Sequence, residues 1–72
     1  MIEINYTKKP SAPTLRAAIR KAIASGNTWM QLTWGENRID IEQFAGQWIG
    51  QGWIGRNGGQ DLANELNNGA KQ

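Results

Sequence analysis

The sequence predicts an α+β fold: a small β-α-β-β sheet packed by one amphipathic helix, then one or two short C-terminal helices. Three observations predict it. Residues 2–6 alternate in polarity, residues 15–23 place apolar side chains at helical spacing, and two further alternating runs flank a turn at residues 35–37.

The first element is a half-buried strand. Ile2, Ile4 and Tyr6 point one way and Glu3 and Asn5 the other, and Lys8-Lys9-Pro10 ends the run. Next comes a helix from about 12 to 25. Leu15, Ala18, Ile19, Ala22 and Ile23 make one apolar face, while Arg16, Arg20 and Lys21 lie opposite. Ser11 is placed to accept from the first free N–H groups, Pro13 suits the first turn, and Gly26 sits where a left-handed residue ends a helix.

A hairpin follows. Met30, Leu32 and Trp34 share one strand face with Ile39 and Ile41, across the turn residues Gly35-Glu36-Asn37. If that face meets the helix, Trp29 is left on the outer face beside Arg38, Asp40 and Glu42. The last third is harder to read, and residues 42–55 fit helix, strand or loop. Phe44, Ala45, Trp48 and Ile49 have helical spacing, so a short helix from about 42 to 50 is expected, with Trp48 stacked on Phe44. Against it, Gly46 and Gly50 each cost a helix about 1 kcal/mol relative to Ala. A glycine-rich loop through Gly59 and a final helix from about 60 to 68 complete the reading, with Leu62, Ala63 and Leu66 inward and a frayed tail after Gly69.

The 72 residues allow one domain, spanning 1–72, and read as a complete small gene product. A chain of this size buries only about 60% of its unfolded surface, so it needs large side chains, self-association or a covalent staple. With no Cys and no His, disulfides and the usual zinc or haem sites are excluded, and no cofactor is expected. Four Trp residues are the available substitute. The N-terminus carries Glu3 and no long apolar run, unlike a signal peptide, and no stretch approaches the ~18 apolar residues of a membrane span. The expected location is the cytoplasm.

The motifs point away from catalysis. Gly50-Gln51-Gly52-Trp53-Ile54-Gly55 matches G-x-G-x-x-G, but a dinucleotide site needs a helix opening in the motif and a later parallel strand, and only 17 residues remain. Arg56-Asn57-Gly58-Gly59, just before the last helix, has the makings of an anion site and equally of a simple turn. Asp40 and Glu42 share a strand face, yet Arg38 and Thr33 beside them suit an ion-pair ladder better than acid–base work.

The expectation is therefore a small non-enzymatic protein-binding module. It would act stoichiometrically on an unidentified protein partner, as an inhibitor, adaptor or assembly factor of the kind phages and plasmids encode. Trp29, Trp53 and Arg56 are its candidate contact residues, because Trp is a recurrent anchor of interfaces. The alternative is a nucleic-acid binder with Lys9, Arg16, Arg20 and Lys21 on phosphates. The rest of the chain does not reinforce this cluster, and three contacts of this kind would give only modest, salt-sensitive affinity. A third reading is a homo-oligomer that hides Trp29 or Trp53 in its own interface.

Overall fold

A computed structural model of the chain describes residues 1–52 and 58–69. Six elements follow one another: β1 (Ile2–Tyr6), α1 (Ala12–Ala24), β2 (Trp29–Trp34), β3 (Asn37–Phe44), β4 (Gln47–Gly52) and α2 (Gly59–Gly69). The strands form one mixed sheet in the order β1-β2-β3-β4. The β1–β2 pair is parallel and the other two pairs are antiparallel. A parallel pair needs a crossover, which α1 supplies.

Local signals set α1 as the spacing predicts. The Ser11 side chain accepts from the Thr14 N–H at 3.3 Å, and Pro13 lies in the first turn. At the other end Gly26 has φ 91°, and the Gly26 and Asn27 N–H groups return to the Ile23 and Ala22 carbonyls. This pair of bonds is a Schellman motif, which satisfies carbonyls that the helix leaves open.

Leu15, Ile19 and Ala22 of α1 pack on Met30, Leu32, Trp34, Ile39 and Ile41 of the sheet, and Leu62 of α2 joins the same cluster. Both helices thus cover one face of the sheet. No described element covers the other face.

The expected helix over 42–50 is not formed. Its residues end β3, make a two-residue turn and begin β4, so the sheet has four strands rather than three. Ala45 and Gly46 both have positive φ, 53° and 81°, as a type I′ hairpin turn requires. The left-handed region costs a non-glycine residue roughly 1–2 kcal/mol, so Ala45 is held there by the pairing of β3 with β4. The expected stack of Trp48 on Phe44 fails for the same reason. The turn resets the alternation, and Phe44 and Trp48 emerge on opposite faces of the sheet. Phe44 is exposed, while Trp48 packs against the core.

Gly50 is required by packing. A Cβ at this position would overlap the carbonyl of Gly59, and one on Gly59 would overlap the backbone of Gln51. Strand β4 and the start of α2 therefore touch backbone to backbone. Further along α2, the Asn67 amide donates to the Trp48 carbonyl at 2.9 Å and accepts from the Trp48 N–H at 2.8 Å. One side chain thus stands in for a missing strand and blocks the start of the β4 edge, a site where open sheets otherwise recruit another chain.

Candidate functional site

The uncovered face is built by strict alternation. Where Met30, Leu32, Ile39 and Ile41 point inward, their neighbours Trp29, Gln31, Thr33, Arg38, Asp40 and Glu42 point outward. The pairing registers arrange the outward side chains in rows across the sheet. Glu3, Gln31, Asp40 and Gln51 form one row; Trp29, Glu42 and Ile49 form the next; Phe44 and Gln47 form the last.

Among the described residues the exposed large apolar side chains are Met1, Trp29, Phe44 and Ile49. The last three, at 37%, 68% and 41% exposure, share this face. They border a groove of about 430 Å³. Trp29, Glu42, Phe44 and Ile49 line one end, and Arg38, Asp40 and Gln51 the other.

The strands' charged residues are Glu3, Arg38, Asp40 and Glu42, three acids to one base, and all four belong to this face. Arg38 Nε donates to Asp40 Oδ2 at 2.9 Å. The second carboxylate oxygen, Asp40 Oδ1, is buried and accepts no hydrogen bond from any described residue. Such an acceptor costs about 1–3 kcal/mol when it stays unpaired, and more when charged. On the same face Thr33 donates its hydroxyl to Asn5 Oδ1, tying β2 to β1.

The structure places the predicted contact residues unevenly. Trp29 lies on the outer face beside Arg38, Asp40 and Glu42, as the alternation implied. Trp53 and Arg56 lie outside the described residues, as does most of the glycine-rich loop. Phe44 and Ile49 are the members that the sequence reading missed, because it put them on one side of a helix. The alternation Gln47-Trp48-Ile49, restarted after Ala45-Gly46, was the signal that could have found them. Gly50 and Gly52 of the G-x-G-x-x-G match lie inside β4 rather than in a turn opening a helix.

Of the predicted basic cluster, Arg16, Arg20 and Lys21 lie on α1. Arg16 makes a two-point ion pair with Glu65 of α2, Nε to Oε2 at 2.7 Å and Nη2 to Oε1 at 2.8 Å. The pair locks α1 to α2 and raises the pKa of the Arg16 guanidinium. The hydrogen bond from Arg16 holds the Glu65 carboxyl below its usual range; burial opposes this in part, while the charges of Arg16 and Arg20 reinforce it. Arg20 and Lys21 are exposed on α1, and Lys9 is exposed between β1 and α1. Among the described residues no three acidic side chains converge to hold a metal ion, and no helix is long and apolar enough to cross a membrane.

Comparison with known proteins returns no match: no family model, no curated protein and no solved structure is significantly similar to the chain.

Proposed function

We propose that the chain is a small cytoplasmic protein-binding module, an inhibitor, adaptor or assembly factor, that grips its partner through the outer face of β2, β3 and β4. It acts by stoichiometric binding rather than by catalysis. The observation that carries this reading is the grouping of Trp29, Phe44 and Ile49 around one groove on a face that no described element covers. Scattered exposed apolar residues need no explanation, but a contiguous group rimmed by polar side chains marks an interaction site. The inner face already holds a full core, so these three side chains are not needed there. The polar neighbours Gln31, Thr33, Gln47 and Gln51 form the rim that a protein interface carries around its apolar centre.

Phosphate is the wrong chemistry for this face. A nucleic-acid surface neutralises phosphates with Lys and Arg, whereas three of the four strand charges here are negative. On the opposite side of the molecule the Arg16 guanidinium is engaged by Glu65.

The test is photo-crosslinking in the native host, with a benzophenone amino acid at Phe44 or, in a parallel sample, at Arg20. A discrete protein adduct from position 44 and none from position 20 is expected. Adducts from position 20 alone, or adducts to nucleic acid, overturn the reading.

A further inference from the structure

Resting on that reading of the outer face, we propose that the groove receives an arginine side chain from a basic segment of the partner protein. Its stem lies between Trp29 and Ile49, and its guanidinium meets Glu42 beside Asp40.

Three features of the groove converge on this occupant. The first is position. Glu42 pairs with Trp29 on one side and Ile49 on the other, so a carboxylate stands between two apolar walls. A long side chain with a charged tip suits that arrangement, since it buries its methylenes on the walls and delivers its head to the acid. The second is a neighbouring carboxylate. Asp40 is the next outward residue along β3, about 7 Å from Glu42 at strand spacing. Its Oδ2 already accepts from Arg38 at the groove, so a guanidinium–carboxylate contact is established on this surface beside Glu42. The third is the ring. Trp29 stands beside these carboxylates, and an indole face attracts a cation as well as a methylene chain.

Arginine fits better than lysine. A planar guanidinium stacks on an indole and offers several N–H donors in a fixed fork, so it can meet both oxygens of Glu42 while lying against Trp29. A lysine ammonium is a point charge that keeps its water more firmly. A second copy of the chain is the competing occupant, because α1 presents Arg20 and Lys21. Joining that face to the groove is a head-to-tail contact, which propagates rather than closes unless its rotation makes a ring.

The experiment uses the full chain, labelled with nitrogen-15, and the blocked peptide acetyl-Gly-Leu-Arg-Leu-Gly-amide. A second peptide carries citrulline in place of arginine, keeping the shape and removing the charge. The arginine peptide is expected to shift the Trp29 indole and the Glu42 and Ile49 amides. The citrulline peptide should bind about ten-fold more weakly, the loss expected when a charged hydrogen bond becomes neutral. Glu42→Gln, with an otherwise unchanged spectrum, should remove that preference. Equal binding of the two peptides overturns the arginine assignment but leaves the face intact, provided that crosslinking from position 44 succeeds. Shifts confined to Arg20 and Lys21, or no shifts with either peptide, overturn it as well. Concentration-dependent assembly that displaces the arginine peptide assigns the groove to a second copy instead.

Discussion

On the inner face of the sheet Met30 pairs with Ile41, and Ile41 with Gly50; one residue along, on the outer face, Trp29 pairs with Glu42, and Glu42 with Ile49. The two rows share strands, hydrogen bonds and twist. They differ in what lies above them. The inner row meets two helices, and at Gly50 it is pressed so close to α2 that no side chain fits. The outer row meets solvent and keeps an aromatic ring, an aliphatic chain and a carboxylate within one groove. Fold stability is therefore concentrated on one side of a single sheet, and the other side is left open. On the proposed reading, an acid between two apolar side chains contributes little to folding and much to choosing a partner, since charge across an interface favours specificity over bulk affinity.

The largest effect expected is on the inner side. Gly50→Ala should destabilise the chain by about 3 kcal/mol, because the obstacle is backbone and cannot rotate away. Urea unfolding measures it, and a loss under about 1 kcal/mol would show that α2 can slide off β4. Asn67→Ala comes next, at about 2 kcal/mol, since it strips both hydrogen bonds from Trp48 and leaves those backbone groups partly buried. It should also open the β4 edge to strand pairing, so light scattering at high concentration should rise where the parent chain stays clear.

Phe44→Ser is the counterpart on the outer face. It should alter stability by less than about 0.5 kcal/mol while abolishing the adduct captured from a crosslinker placed at Ile49. A large loss of stability there would make the outer face structural and erase the contrast between the faces.

The smallest effect belongs to Arg16 and Glu65, which join the two helices on the far side. The Glu65 carboxyl is held below its usual range in the folded chain. The pair's contribution is therefore fully present above the ordinary glutamate pKa of about 4.3 and disappears as pH falls through the lowered value. The melting temperatures of the parent chain and of Glu65→Gln should differ slightly near neutral pH and converge in acid, and added salt should narrow the gap.

Much of this architecture is legible in the residue order. The period of two in residues 2–6 and 29–42 identifies three strands and assigns their faces, including the outward position of Trp29. The 3.6-residue period of α1, with Ser11 and Gly26 at its ends, gives that helix almost to the residue. The outer face was half legible. Trp29 and its charged neighbours follow from alternation, but Phe44 and Ile49 do not, because Phe44 and Trp48, like Ala45 and Ile49, stand four residues apart, which is also one helical turn. Only the sharp turn at Ala45-Gly46 separates the two readings, and Ala carries no local signal for the left-handed conformation adopted there.

By itself, then, the sequence determined what depends on neighbours a few bonds away: the caps of α1, the alternation of β1 to β3, the absence of thiol and imidazole chemistry, and the apolar face of α2. The tertiary structure decided what depends on partners far along the chain. Arg16 meets Glu65, 49 residues later, through Nε and Nη2, a pairing that no local pattern announces. Residues 47–52 became a strand because β3 supplies hydrogen-bond partners and Gly59 can approach where Gly50 has no side chain. Local periodicity records the average surroundings of a residue. Pairing and close approach are settled only when distant segments compete for the same space.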